Sequence, residues 1–355
     1  MLYDWHAVVK SAARLELSRR ILYDASRDSG LKCGSFRPGR NSNVAQGKIE
    51  LAGVFPPIAT PFAADGSLDR VHLHSNLGRW SATGLAGFVV MGSNGEFVYL
   101  SEREKVELLE AAREGIPRGK LFIAGTGCEA TEATVELTRR AAEIGADAAL
   151  IITPHFYRSR MDSRALVAYY RRIADASRIP VLLYNMPANT GIDMAVETVA
   201  ALAVHPNIVG LKDSSGNLVK LGEIIRAVPA SFQVLAGSAS FLYAALALGA
   251  VGGIVALANV APEACVAIYE SFRAGDLEAA RLTQLRLLPA NAAVTSRYGV
   301  PGLKSAMDEV GYYGGPPRPP LLPLANKERE VVQAILGEAG LMGGHGPASV
   351  RGGPG

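Results

Sequence analysis

Ile208-Val-Gly-Leu-Lys212-Asp-Ser-Ser215 is a short apolar run that ends in a lysine. Ile208, Val209 and Leu211 read as a buried strand, with Lys212 at its mouth. Desolvation disfavours the charged form of an amine placed there. A neutral amine is a nucleophile that can form a Schiff base with a carbonyl compound. The plainer alternative is a lysine that closes the strand and reaches into water. What surrounds the run weighs between them.

Seven further apolar runs, many β-branched, read as strands: Gly53–Thr60, Gly87–Gly92, Leu121–Gly125, Ala148–Thr153, Pro180–Tyr184, Phe232–Ala236 and Gly253–Ala258. Stretches of helical period alternate with them, among them Ser101–Glu114, Thr131–Ile144, Ser163–Ala176 and Ala195–Ala203. Strand follows strand at about 25–35 residues, the size of a βα unit. The strands lack polar alternation, as expected where both faces are buried. Eight units in series predict an α/β fold, a (β/α)₈ TIM barrel. No GxGxxG or GxxxxGK[ST] follows any strand, so a nucleotide-binding sheet has no support. Helical stretches near Pro262–Arg273, Leu277–Leu288 and Asn291–Val310 predict a C-terminal helical extension.

The expected layout is an N-terminal extension over 1–48, the barrel over 49–275, the helical extension over 276–338 and a disordered tail over 339–355. The first segment is rich in Lys and Arg but also carries Asp4, Glu16, Asp24 and Asp28 and lacks an apolar core. That argues against a secretory signal and weakens a mitochondrial one, so a cytoplasmic location is expected, with the mitochondrion as the alternative. Hydrophobic residues at 49% and charged residues at 19% describe a globular chain. A net charge of +3 with no long basic run predicts no nucleic-acid partner. No apolar stretch reaches about 18 residues, so no membrane span is expected. Cys33, Cys128 and Cys265 are scattered, with neither a disulfide framework nor metal spacing, which suggests a reducing compartment.

In such a barrel, catalytic groups come from the C-terminal ends of several strands. Those ends read Thr60-Pro-Phe62, Gly92-Ser-Asn-Gly-Glu96, Thr153-Pro-His-Phe-Tyr157, Tyr184-Asn-Met-Pro187, Lys212-Asp-Ser214 and Gly237-Ser238. The Gly92–Glu96 turn offers hydroxyl, amide and backbone donors suited to a carboxylate; an ordinary Asn-Gly turn is the alternative. Tyr184 ends the strand one unit before Lys212, where a phenol could shuttle protons; a core tyrosine is the alternative. His155 has no partner at metal spacing, so no metal site is expected.

At these residues the chain resembles the dihydrodipicolinate synthase / N-acetylneuraminate lyase superfamily of class I aldolases. The resemblance runs from about Ile49 to Leu324 and rests on Pro57-Ile-Ala-Thr-Pro-Phe62, Gly92-Ser-Asn-Gly-Glu96, Tyr184-Asn-Met-Pro187 and Gly210-Leu-Lys-Asp-Ser214. A narrower likeness, to 4-hydroxy-2-oxoglutarate aldolases, rests on Gly92–Phe97, Ala188-Asn-Thr-Gly191, Val234–Ser238, Asn291-Ala-Ala-Val-Thr295 and Gly311–Pro316. The resemblance implies that Lys212 forms an imine with pyruvate and that Tyr184 relays protons. It implies that Ser93 and Asn94 hold the pyruvate carboxylate and that Ser214 contacts the distal substrate group. Thr60, Asn189 and Gly237 complete the expected substrate-binding set. No cofactor is implied; the partner is a small 2-keto acid, and the assembly is a homotetramer, a dimer of dimers.

Two positions depart from the family pattern. Synthases of dihydrodipicolinate usually carry an arginine where this chain has Asn189, and a neutral amide cannot replace a bidentate cation. Many members place a tyrosine at Phe156 that reaches a neighbouring subunit's site. Here Tyr157, water or an incomplete relay takes its place. The resemblance therefore implies cleavage of 4-hydroxy-2-oxoglutarate to pyruvate and glyoxylate. The alternatives are 4-hydroxy-tetrahydrodipicolinate synthesis, another 2-keto acid aldolase or dehydratase, or a barrel that binds without catalysis. Sugar-acid substrates are disfavoured by the lack of an evident polar cluster around Gly237-Ser-Ala-Ser-Phe241.

Overall fold

A computed structural model describes residues 49–342. The expectations for 1–48 and for the tail beyond 342 lie outside the described residues. Eight parallel strands form the barrel: β1 (Gly53–Phe55), β2 (Gly87–Val90), β3 (Leu121–Gly125), β4 (Ala148–Ile152), β5 (Val181–Asn185), β6 (Ile208–Asp213), β7 (Gln233–Ala236) and β8 (Gly252–Ile254). Their order runs β1-β8-β7-β6-β5-β4-β3-β2. The seam between β1 and β2 is bridged by Ala86 N–H to Val54 O at 3.0 Å, Val89 N–H to Pro56 O at 3.0 Å and Ile58 N–H to Val89 O at 2.9 Å. The fold is the (β/α)₈ TIM barrel read from the sequence, with helices following the eighth unit.

Each strand is apolar on both faces for a different reason on each. Val89, Ile123, Leu150, Leu182 and Leu235 fill the barrel interior. Their neighbours Phe88, Val90, Phe122, Ile151, Leu183 and Val234 pack outward, against the helices. The period of two is present but both phases are hydrophobic, which is why the sequence shows continuous runs.

Between the strands run α1 (Arg70–Ser81), α2 (Glu102–Gly115), α3 (Thr131–Ile144), α4 (Ser163–Ala176), α5 (Val196–Ala203), α6 (Leu218–Ala227) and α7 (Leu242–Leu248). Several begin on side chains that accept an otherwise unsatisfied N–H: Asp69 from His72, Asp162 from Ala165, Asn217 from Lys220. Ser101 and Glu104 form a full capping box on α2. After β8 come α8 (Pro262–Arg273), α9 (Leu277–Ala292), a π turn over Ala293–Arg297, α10 (Gly299–Glu309) and α11 (Asn326–Glu338).

The first and last strands are shorter than the apolar runs predict. Pro56 and Pro57 have no N–H to donate, so the β1 ladder stops at Phe55. Ala256–Asn259 closes into a 3₁₀ turn instead of extending β8. The buried Asn259 holds both ends: its Nδ2 donates to Pro57 O at 3.0 Å and Ala256 O at 2.9 Å, and its Oδ1 accepts from Ala59 N–H at 3.2 Å.

β6 carries a β-bulge. Val181 pairs with Ile208, but Leu182 pairs with Gly210, so Val209 is an extra residue. Ile208 and Leu211 both face the helix layer, and Lys212 therefore faces the interior beside Tyr184. Without the extra residue, strict alternation from Ile208 would turn Lys212 outward. Gly210 permits the tight passage: a Cβ there would lie 2.3 Å from Gln233 O on β7.

Candidate active site

The inward turn of β6 leaves Lys212 only 2% exposed, its Nζ 4.1 Å from the centroid of the Tyr184 ring. Tyr184 is its register partner on β5. The ring face is a favourable neighbour for an ammonium and a nonpolar wall for an amine. The Tyr184 hydroxyl meets Ser93 Oγ at 3.3 Å, which joins β5 to the turn after β2.

That turn is Gly92–Glu96, and it closes on its own backbone through Gly95 N–H to Gly92 O at 2.9 Å and Glu96 N–H to Ser93 O at 3.2 Å. Met91, just before it, and Glu96, its last residue, have φ values of 60° and 57°, a left-handed conformation rare for such residues. Tertiary contacts hold Glu96 there. Glu96 Oε1 forms an ion pair with Lys304 Nζ of α10 at 2.7 Å, with both side chains at most 1% exposed. Glu96 Oε2 accepts from the Arg318 N–H at 2.7 Å. Lys304 donates to Pro316 O at 2.9 Å, and its Nζ lies 4.4 Å from the Phe62 ring centroid. Burial pushes the Lys304 ammonium below the ordinary lysine range, and Glu96 opposes that push. The C-terminal helices are thus part of the site's scaffold and not merely an appendage.

Below Lys212, Asp213 points to the opposite face and is buried. Its carboxylate accepts from Asn185 Nδ2 at 3.0 Å and Ser215 N–H at 2.8 Å, with Lys220 Nζ of α6 at 3.5 Å. Asn185 also donates to Asp193 at 2.8 Å and accepts from Met194 N–H at 2.9 Å. Lys220 and Asp193 pair directly. This network fixes the strand end, so that Lys212 and Ser214, two residues apart, share the inner face.

These elements enclose a cavity of about 780 Å³. Seven of the eight residues expected at a site line it: Ser93, Asn94, Tyr184, Asn189, Lys212, Ser214 and Gly237. Thr60 does not: it is buried beneath the turn, where its Oγ1 donates to Gly95 O at 2.6 Å. Its place is to support the turn. Among the described residues lining the cavity, Lys212 is the only charged side chain. Gly237 is forced by space, because a Cβ there would sit 1.9 Å from Ser214 Oγ.

The distal half of the cavity holds polar residues that the reading of single strand ends missed. Ser238 and Ser240 after β7 are joined by Asn291, Thr295 and Ser296 from α9 and the π turn. A polar cluster therefore exists where none was evident, because half of it comes from helices about 50 residues further on. His155 pairs with Glu129 at 2.8 Å, and Glu129 Oε2 also accepts from the His155 and Phe156 N–H groups at 2.9 Å. Phe156 and Tyr157 are 76% and 71% exposed, pack edge to face on each other, and do not line the cavity.

Sequence and fold comparisons identify the family. The model of the Dihydrodipicolinate synthetase family matches residues 50–339. The chain belongs to that family. It is a carbon–carbon lyase of the family's aldolase and synthase kind. It is 38% identical over 287 residues to 4-hydroxy-tetrahydrodipicolinate synthase of Methanothrix thermoacetophila, covering 80% of this chain and 95% of that one. It is 35% identical over 294 residues to a probable mitochondrial 4-hydroxy-2-oxoglutarate aldolase of Emericella nidulans, covering 81% and 95%. The chloride-inhibited dihydrodipicolinate synthase of Acinetobacter baumannii, solved with pyruvate, superposes with a TM-score of 0.79 at 31% identity, covering 82% and 100%. Among the described residues, no helix is long and apolar enough to cross a membrane.

Proposed function

We propose that this family member is a class I aldolase that cleaves 4-hydroxy-2-oxoglutarate to pyruvate and glyoxylate. The Ser93–Asn94 turn takes the C1 carboxylate. The Lys212 amine adds to the C2 ketone, the Tyr184 hydroxyl protonates the departing oxygen, water leaves, and a protonated imine and the Tyr184 phenolate remain. The C4 hydroxyl passes its proton to the Tyr184 oxygen as the C3–C4 bond breaks. The bonding pair moves into the iminium, giving an enamine and glyoxylate. Protonation at C3 and hydrolysis release pyruvate and regenerate the Lys212 amine. Side chains and water carry every step.

The observation that carries the substrate is Asn189. It lines the cavity where the synthases usually bear an arginine, and no other cation lines the described cavity. Condensation of aspartate semialdehyde loses its guanidinium clamp there. The Emericella relative supports the same reading by name.

Incubation with pyruvate and borohydride, read by mass spectrometry, should place one adduct on Lys212. An unmodified Lys212 would sink the Schiff-base reading, and Lys212→Ala should abolish both adduct and turnover. Glyoxylate release from 4-hydroxy-2-oxoglutarate should then exceed condensation of aspartate semialdehyde; the reverse ranking would make the chain a synthase.

We also propose the homotetramer that the family resemblance implies, with the exposed Phe156–Tyr157 pair in a subunit contact. Sedimentation of a monomer at micromolar concentration would refute it. A cytoplasmic location is proposed from the acidic residues within 1–48; import of the full chain by isolated mitochondria would overturn it.

A further inference from the structure

We infer that Lys220 is a positioning residue for the Lys212 amine: its ammonium balances two carboxylates behind β6 and sets the pH range over which that amine adds to a carbonyl. The inference rests on the Schiff-base reading above and deepens it. Lys220 lies in the first turn of α6, with its side chain 10% exposed. Its Nζ pairs with Asp193 Oδ1 and lies 3.5 Å from Asp213 Oδ2. Asn185 Nδ2 donates to the same two oxygens, at 2.8 Å and 3.0 Å. Two nitrogen donors and two carboxylate oxygens thus alternate around one closed ring. Lys220 is its single cation.

The other three members each adjoin a different part of the site. Asn185 follows Tyr184 on β5, and Asp213 follows Lys212 on β6. Asp193 follows the short Pro187–Thr190 helix that carries Asn189. The ring therefore ties together the segments that bring the phenol, the amine and the Asn189 amide to the cavity. Without the ammonium, two carboxylate oxygens would share one neutral amide, and like charges oppose that arrangement. Asp213 is not free to turn away, because its Oδ1 already accepts from the Ser215 N–H at 2.8 Å.

The charge matters to Lys212 as well as the geometry. Its neighbours across the sheet are Tyr184 on β5 and Leu235 on β7, and no other described residue lining the cavity is charged. Glu96 is neutralised by Lys304, and Glu129 pairs with His155. Glu197 of α5 and Glu223 of α6 are exposed to water. The Asp213 side chain, next along the chain from Lys212, is 2% exposed, and buried charges are poorly screened. With Lys220 in place the ring carries one negative charge; without it, two. Nearby negative charge favours the ammonium over the amine, and only the amine attacks a carbonyl.

The test uses the full chain, with pyruvate as the probe. Timed mixing, a borohydride quench and the adduct mass give the rate of imine formation across about pH 6–10. Lys220→Met should move the rise of that profile to higher pH by roughly one unit, with a roughly tenfold loss of rate at neutral pH. Lys220→Arg keeps the charge and should return the rise to its position in the parent. Asp193→Asn removes a negative charge and should move the rise to lower pH, by less, because Asp193 is half exposed and screened. A merely structural role would lower the rate or the melting temperature and leave the position of the rise where it was. An unmoved rise in folded Lys220→Met overturns the inference, as does Lys220→Arg with the displaced profile of Lys220→Met. If Lys220→Met does not fold, Asp193→Asn decides: a rise at lower pH sustains the inference, and an unmoved or higher one overturns it. A parent that traps no pyruvate defeats the underlying Schiff-base reading instead.

Discussion

Tyr184 and Lys212 are register partners on adjacent strands, and the lysine Nζ sits 4.1 Å from the tyrosine ring centroid. The ring and the hydroxyl of Tyr184 therefore have separable roles. Tyr184→Phe keeps the ring against Lys212 but removes the contact with Ser93 Oγ. Turnover should fall roughly 10²–10⁴-fold, the scale of a general acid/base, while the pyruvate adduct still forms. Steady-state rates beside adduct mass separate the two, and an undiminished rate would remove the phenol from the relay.

Glu96 and Lys304 form a buried ion pair that holds the carboxylate-binding turn from α10. Lys304→Met leaves a buried, uncompensated carboxylate and should lower unfolding free energy by about 3–5 kcal/mol. The double variant with Glu96→Gln should recover part of that loss. Urea unfolding of the four proteins closes the cycle, and simple additivity would show that the two side chains are not coupled.

Acid stability should carry the signature of Glu104. The Arg318 guanidinium, 2.8 Å away, hydrogen-bonds its carboxylate and holds it near pKa 2, from an ordinary value of 4.5. Burial opposes this, and Ser101 adds to it. A depressed folded-state value means the unfolded chain binds the extra proton first as pH falls. The stabilisation is complete above about pH 4.5 and is lost progressively toward about pH 2. Glu104→Gln should flatten the fall in unfolding free energy across that window. An identical acid limb in the variant would rule the linkage out.

Gly237→Ala should damage the site from beneath. Its Cβ would meet Ser214 Oγ at 1.9 Å and Asp213 O at 2.6 Å, just beyond and at the end of the strand that bears Lys212. The strand end must shift, with a loss of about 1–3 kcal/mol expected for overpacking and a lower rate of imine formation. Thermal melts and the pyruvate-trapping rate check this; wild-type values for both would mean the rim yields freely.

Much of this was legible along the chain. The strand runs and helical periods announce the barrel because both faces of each strand are apolar, and the rim residues follow from where each run ends. Asn185, Asp213 and Lys220 were not singled out as a unit, since their pairing joins β5, β6 and α6. Glu96 was legible only as part of a turn; its partners Lys304 and Arg318 lie more than 200 residues away. Asn291 belonged to a stretch of family likeness with no visible task until α9 brought it to Ser238.

Lys212 shows where the division falls. The sequence by itself determined that a lysine stands at the end of an apolar strand, one βα unit after a tyrosine. It did not determine which way that lysine points. Alternation counted from Ile208 sends Lys212 outward; the extra residue at Val209 in the pairing with β5 turns it inward. Side-chain parity is a local property of the chain, but a bulge exists only in relation to the neighbouring strand. Tertiary pairing therefore decided that this amine faces the cavity, and the packing of α9 and α10 decided what it meets there.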